Sequence, residues 1–189
     1  MNPDLLKRYL KHNQSFSDEA LEHIIVQFKP MIFKKNAILL SKNEVANKIY
    51  FVCNGCVRTY YLTERGHEKT RFIAFEGQVA GSLNSFISGQ PSLEFVATLE
   101  DSELLYITRS IFYKLVKDFP EWEQFYLKLL ESAYNYQNKK IGEMVMLSAI
   151  ERYQLLLKEN PEYIKRLSNK ILASYLDISQ ETLSRLKSK

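Results

Sequence analysis

RLSNKILASYLDISQETLSRLKSK, residues 166–189, is the stretch on which the reading of the whole chain turns. Ser168 is a natural N-cap, and Ile171, Leu172 and Leu176 follow it at i+3, i+4 and i+8, on one helical face. Ala173 is small where two crossing helices must approach closely. Asp177 interrupts the apolar spacing; it tolerates a left-handed backbone and holds the turn position that Gly more often takes. Ile178 plugs the turn. Ser179 caps a second helix, with Thr182 three residues on, so the cap is present without a full capping box. Leu183 and Leu186 face inward, which leaves Gln180, Glu181, Ser184, Arg185 and Lys187 outside. Two short helices joined by a tight turn, the second with exposed polar residues at its start, suit the helix-turn-helix that enters the major groove of DNA. Arg can fork onto guanine, Glu accepts from cytosine and Gln pairs with adenine. The hydroxyls of Ser168, Ser179 and Thr182 suit phosphate oxygens. Any wing beyond the second helix is expected to be very short or absent.

Composition sets wide bounds. The chain has 189 residues, 46% hydrophobic and 25% charged, ordinary for a globular protein of one large domain or two small ones. No apolar run reaches the ~18–20 residues of a membrane span, and the opening MNPDLLKRYLKHNQ is too polar for a signal peptide, so a cytoplasmic protein is expected. The net charge of +4 is uneven: from Ser148 onward there are eight Lys or Arg against five Asp or Glu. A mildly basic end fits phosphate binding. Cys53 and Cys56 form one C-x-x-C, short of the four ligands of a structural zinc, and His12, His23 and His67 are far apart in sequence. No metal site is expected. There are no paired carboxylates on a Gly-rich scaffold, no nucleophile elbow and no phosphate-cradling loop, so no enzyme is expected.

The rest of the chain divides by periodicity. Residues 1–29 read as helical, with Ser17 capping the run Leu21, Ile24, Ile25, Phe28 and Pro30 stopping it. From Met31 to about Ile107 the runs are short, β-rich and broken at Asn36, Asn54-Gly55, Arg65-Gly66, Gly77 and Gly89, which predicts an antiparallel sandwich or barrel. Asn54-Gly55 between apolar runs predicts a two-residue hairpin. GSLNSFISG, residues 81–89, reads as one turn of helix in a loop. Residues 121–146 form a long helix with a broad apolar seam: Trp122, Tyr126, Leu129, Ala133 and Tyr136, with Leu130, Ile141 and Met144 on the adjacent stripe. At 1.5 Å per residue such a helix is ~37 Å long, more than a small β-domain covers, and it is expected to pair with its own copy. Ser148 caps a further helix with Ile150, Tyr153, Leu156 and Leu157 inward, and Pro161 ends it.

In this order (N-terminal helices, an antiparallel β-roll with a loop helix, one long helix, a helix-turn-helix) the chain resembles the Crp/Fnr family of bacterial transcription regulators over essentially its whole length. The marks are VCNGCV at 52–57, Gly66, Gly77, GSLNSF at 81–86, Pro120 and SQETLSR at 179–185. Recognition helices of the family commonly read S-R-E-T-[VL]-x-R; Ser179, Glu181, Thr182, Leu183 and Arg185 match, and Gln180 replaces Arg. The resemblance implies that Glu181 and Arg185 read base edges, and that Gln180 shifts the half-site away from the GTGA type. Nucleotide-binding members use G-E-[LI] and, some ten residues later, R-[ST]-A. Here Gly81-Ser82-Leu83 lacks the carboxylate, and Ser92-Leu93 stands in place of the Arg pair. With Gln137 and Asn138 on the long helix, these residues outline a degenerate effector pocket from which tight cyclic-AMP or cyclic-GMP binding is not expected. No cofactor is expected: no Cys precedes Cys53 for an iron–sulfur cluster, and His67 reads as a solvated turn residue.

The expected fold class is α+β: N-terminal helices and an antiparallel, jelly-roll-like β-roll over residues 1–119, a dimerisation helix over 120–147 and a helix-turn-helix domain over 148–189. The expected partners are double-stranded DNA, a second copy of the chain, RNA polymerase and an unidentified small effector. The competing reading is a ligand- or protein-binding β-roll whose helical tail only packs. Burial of Gln180, Ser184 and Arg185 would favour it.

Overall fold

The computed structural model describes residues 3–188; Met1, Asn2 and Lys189 lie outside them. The chain opens with helices α1 (Pro3–Asn13) and α2 (Asp18–Ile25), the second capped by Ser17. The helical run ends before Pro30, which stands inside the first strand. That strand, β1 (Lys29–Phe33), is paired on one side only, the place where a residue without an N–H is tolerated. β2 (Ile38–Leu40), β3 (Lys48–Asn54), β4 (Val57–Leu62), β5 (Glu68–Ala74), β6 (Val79–Ala80), β7 (Phe95–Thr98) and β8 (Ser102–Thr108) follow, with the short helix α3 (Leu83–Ser88) between β6 and β7.

The strands form two open four-stranded antiparallel sheets, ordered β1-β8-β3-β6 and β2-β7-β4-β5, rather than a closed barrel. The Asn54-Gly55 hairpin expected from sequence is therefore absent. β3 and β4 belong to different sheets, and the dipeptide carries the chain across from one to the other. Turn chemistry specified the bend but not the partner. Gly55 has φ +96°, and its N–H donates to Glu76 at 2.8 Å. A Cβ there would stand 2.4 Å from Ser102 Oγ and 2.7 Å from the Asp101 carbonyl. Gly55→Ala is expected to cost about 1–3 kcal/mol in urea denaturation from backbone strain and displacement of Ser102; a cost below about 0.5 kcal/mol would overturn this account.

Both faces of β5 are covered. Phe72 and Ala74 turn toward the core between the sheets, which also contains Phe51, Val57, Val96, Leu104 and Ile107. Ile73, and Phe75 just beyond the strand, turn the other way into a second core with Tyr163, Leu167, Leu172 and Leu176. This explains the uninterrupted apolar run FIAF, since a strand buried on both faces has no polar side to alternate with.

Helix α4 (Arg109–Asp118), capped by Thr108, leads through Phe119 into α5 (Pro120–Met146), which begins with proline in its first turn. Trp122, Phe125, Tyr126 and Leu129 pack on the protomer's own roll, where Phe28, Phe112 and Trp122 meet edge to face. The rest of the chain is α6 (Ala149–Glu159), α7 (Pro161–Arg166), α8 (Asn169–Leu176) and α9 (Gln180–Lys187). Ser148 and Glu151 form a full capping box at α6. Tyr153 and Leu156 of α6 are buried, whereas Ile150 and Leu157, also expected inward, are exposed. Pro161 does not simply end α6; it opens α7, where the absent N–H of the first position is no loss.

Candidate nucleic-acid interface

The C-terminal helix pair has the local geometry that its residues dictate. Ser168 Oγ accepts from Ile171 N–H at 3.4 Å and Ser179 Oγ from Thr182 N–H at 3.1 Å, so each helix starts with a satisfied cap. Asp177 takes the left-handed conformation, φ 54° and ψ 47°, and ends α8. Leu172, Ala173, Leu176 and Leu183 are buried between the helices, with Ile178 and Leu186 packed at the margin. Ser168, Ser179, Gln180, Glu181, Ser184, Arg185 and Lys187 are exposed and Thr182 is partly so. Lys187 turns back onto Asn169 Oδ1, and the Ser184 carbonyl accepts from Ser188. The hydrogen bond from Ser179 holds the Glu181 carboxyl below the usual range, so it is an acceptor at neutral pH. The exposed side chains of α9 include three with base-edge chemistry: Gln180, Glu181 and Arg185.

This helix pair does not stand apart from the rest. Arg166, at the end of α7, forks onto two carboxylates of the roll. Its Nη1 and Nη2 donate to Glu76 at 2.7 and 2.9 Å, its Nη2 and Nε donate to Glu100 at 2.6 and 3.2 Å, and Nη2 also reaches the Gly55 carbonyl. The hydrogen bonds to Glu76 and Glu100 raise the Arg166 pKa above its ordinary value. Thr70 N–H donates to Ser174 Oγ at 2.8 Å, and Ser174 Oγ donates to the Glu68 carbonyl at 2.7 Å. Tyr163 OH donates to the Ile73 carbonyl, and Lys69 pairs with Asp177. Cys56 is enclosed in the same junction, where burial pushes its thiol up to about 12, while Cys53 is only half-buried. Ser174, Arg166, Glu76 and Glu100 escape a sequence reading because their roles depend on partners far along the chain.

A cavity of about 340 Å³ lies between the roll and α5, lined by Tyr9, Arg71, Gln78, Gly81, Leu83, Tyr136 and Gln137 among others. Of the degenerate pocket outlined from sequence, Gly81, Leu83 and Gln137 line it. Ser82 and Ser92 are buried behind it, and Leu93 and Asn138 point to solvent. The missing member is Glu94. Its carboxylate accepts from Ser82 Oγ at 2.6 Å and pairs with Arg71, and its backbone N–H donates to Ser92 Oγ. The one Lys or Arg side chain lining the cavity is thus already neutralised from within the chain. Tyr136 joins the cavity to the helix pair: its OH donates to the Arg71 carbonyl at 3.3 Å and lies 3.2 Å from Tyr175 OH of α8.

Of the long-helix residues expected at a dimer seam, Trp122, Tyr126, Leu129, Ala133 and Tyr136 face the protomer's own roll or cavity instead. The first two turns of α5 are covered by Tyr9 of α1, Phe16 and Phe28 on either side of α2, and Phe112 of α4, which the helical periodicity of α5 alone does not encode. The open apolar face carries Leu127, Tyr134 and Ile141, exposed by 46, 66 and 61%, with Met144 beside them. Leu130 is half-buried at its edge.

Comparison with known proteins agrees with this architecture. Residues 30–119 match the family described as "Cyclic nucleotide-binding domain". The "Anaerobic regulatory protein" of Pasteurella multocida is 24% identical over 89% of this chain, which spans 64% of that protein's length. The "Fumarate and nitrate reduction regulatory protein" of Vibrio cholerae is 26% identical over 92% of the chain and 72% of its own length. The solved structure of FixK2 from Bradyrhizobium japonicum shares the fold with a TM-score of 0.73 at 20% identity, over 85% of this chain and 83% of that one. The chain is thus similar over about nine-tenths of its length to proteins described as anaerobic or fumarate and nitrate reduction regulators, and its residues 30–119 match the cyclic nucleotide-binding domain family.

Proposed function

We propose that the protein is a homodimeric, sequence-specific DNA-binding transcription regulator whose recognition helix is α9. The observation that carries this reading is the exposure of Gln180, Glu181, Ser184 and Arg185 on a helix capped by Ser179 and held by a buried Leu183. Glu181 and Arg185 read base edges, Gln180 shifts the preferred sequence, and Ser168, Ser179 and Thr182 contact phosphates. The open stripe on α5 supports the dimer. Leu127, Tyr134 and Ile141 recur every seven residues, and so do Leu130, Gln137 and Met144, which is the repeat of a two-stranded coiled coil. The division of labour is a sensor roll over residues 1–119, a dimer helix over 120–147 and a DNA-binding domain over 148–189. RNA polymerase is the further partner that regulation of transcription requires.

The effector of this reading occupies the cavity between the roll and α5. Arg71 is paired with Glu94, and Ser82 and Ser92 hold that carboxylate in place, which leaves no free cation for a cyclic phosphate. An effector other than a cyclic nucleotide fits these walls better. Selection of bound fragments from a random duplex pool tests the DNA reading. The expected product is an inverted repeat with half-sites about one helical turn apart. A pool that stays unenriched would overturn it in favour of a roll that binds other partners.

A further inference from the structure

Among the described residues, Arg71 is the one charged side chain on the wall of the cavity between the roll and α5. The rest of the wall is apolar or uncharged. Tyr9, Phe72 and Tyr136 are its aromatic members, with Phe72 and Tyr136 edge to face at 5.1 Å. The charge of Arg71 does not face this space unopposed. Its Nε donates to the Glu94 carboxylate, whose side chain stands behind the wall and is only 7% exposed. Glu94 is held from several sides. Ser82 Oγ donates to its Oε2 at 2.6 Å, Ser92 Oγ lies 3.0 Å from Ser82 Oγ, and the Glu94 N–H donates to Ser92 Oγ at 3.0 Å. Ser92 is pinned in turn by backbone: its N–H donates to the Glu44 carbonyl at 2.8 Å, and its carbonyl accepts from the Asn43 N–H at 2.7 Å. A carboxylate stays buried only where its charge is answered, and Arg71 and Ser82 answer this one. The same contacts use up the attraction that Arg71 would otherwise offer to a bound anion.

We infer that Glu94 is a resident anion that sets the charge selectivity of this cavity. With Glu94 in place the cavity takes an uncharged aromatic effector and rejects carboxylates and phosphates; without it the same walls take an anion. The inference rests on the reading that the cavity holds the effector, and adds the chemical class of that effector and the residue that selects it. The reason is electrostatic. An entering anion meets the Arg71 guanidinium with a second negative charge fixed directly behind it, so it gives up its hydration for little return. An uncharged ring loses no such hydration, and it packs on Phe72 and Tyr136 through the offset and edge-to-face contacts that aromatic rings prefer. The amides of Asn13, Gln78 and Gln137 on the same wall suit one or two polar groups on that ring. A volume of about 340 Å³ is at the lower end of the ~300–1,000 Å³ of small-molecule sites, which fits a compound of one or two rings.

The test uses two probes of one shape and different charge, 2-naphthamide and 2-naphthoate, titrated calorimetrically into the full-length protein. No DNA is present, so a failure here is separate from a failure of the DNA selection. The parent is expected to bind the amide about tenfold more tightly than the carboxylate, or better. Glu94→Gln keeps the shape of the side chain and frees the Arg71 charge, and is expected to reverse the order, with naphthoate affinity raised about tenfold or more. Arg71→Gln/Glu94→Gln removes both charges, a change that buried pairs commonly tolerate. It is expected to keep naphthamide and to gain nothing for naphthoate. Equal affinity of the parent for the two probes would overturn the inference, as would a Glu94→Gln protein with the parent's order. A gain for naphthoate as large in the double variant would remove Arg71 from the account and overturn it too. If the parent binds neither probe, the cavity is not a site for an uncharged aromatic and the proposal falls. A Glu94→Gln protein too unstable to titrate is expected to fold when naphthoate is present and not when naphthamide is; the absence of that rescue also overturns it.

Discussion

Replacing Trp122 by alanine is expected to lower stability by about 3–5 kcal/mol, the usual cost of emptying a buried aromatic site. Trp122 is 1% exposed, and its ring lies 4.9 Å from Phe125 and 5.1 Å from Phe112. The hole would open at the point where α5 is anchored on the roll, so the loss propagates to α2, α4 and α5 together. For a chain of this size the melting temperature falls by roughly 2–4 °C per kcal/mol. The change is followed by circular dichroism at fixed protein concentration, because Trp122 is the only tryptophan and its fluorescence disappears with it. Trp122→Phe is the informative companion. The indole N–H is buried without a hydrogen-bond partner, so phenylalanine loses volume but also removes an unsatisfied donor. Its expected cost is about 1–2 kcal/mol, well below that of alanine. A Trp122→Ala protein that kept its melting curve and lost only its dimer would return Trp122 to the intersubunit seam.

Arg185→Ala is expected to abolish specific DNA binding while leaving the fold intact. A well-formed Arg–guanine fork contributes about 1–3 kcal/mol of discrimination, and a dimer loses two of them. Affinity for the selected site then falls by roughly thirtyfold to twenty-thousandfold, at about tenfold per 1.4 kcal/mol. Because Arg185 is exposed and outside the buried cores, the melting temperature should stay within a degree or two of the parent. The two readouts together separate a base contact from a structural one. Binding to unselected DNA should fall much less, since it depends on phosphate neutralisation rather than on base edges. An unchanged preference for the selected site would remove Arg185 from the recognition surface.

The two variants probe regions that differ in how legible they are from sequence. Local chemistry was enough for the helix-turn-helix. Ser168 and Ser179 have few better uses than caps, Asp177 can hold a left-handed turn, and the apolar spacing of Leu172, Leu176 and Leu183 leaves Arg185 outside. The long helix was equally plain in extent, from Pro120 to the end of an uninterrupted apolar pattern. Which of its faces meets which neighbour was not. Trp122 and Tyr136 share a stripe with residues that suit a dimer seam, but Phe28 and Phe112 claim Trp122 first, and Phe72 of β5 claims Tyr136. The exposed heptad of Leu127, Tyr134 and Ile141 becomes visible only once those claims are known.

Long-range pairing accounts for the remaining differences. Asn54-Gly55 specifies a sharp turn, and the turn is there, yet whether the strands on either side pair with each other depends on β8 and β5, which compete for them. Glu94 sits one residue beyond the segment compared with nucleotide-binding relatives, so its neutralisation of Arg71 has no local signature. Arg166 reads as one more basic residue before a cap until Glu76 and Glu100 are brought beside it.

By itself, then, the sequence determined the elements whose causes lie within a turn or two of chain: the caps, the helix-turn-helix, the β-rich middle and the long helix, with the exposed chemistry of Gln180, Glu181 and Arg185. Only the tertiary structure decided what those elements touch. It divided the strands into two sheets, turned Trp122 inward, set the Glu94 carboxylate behind the Gly81–Leu83 loop and docked the helix-turn-helix on β5. The physical reason is one of range. Capping and periodic burial are satisfied by residues a few positions apart, whereas ion pairs such as Arg166 with Glu76 join residues ninety positions apart and exist only once the chain has folded.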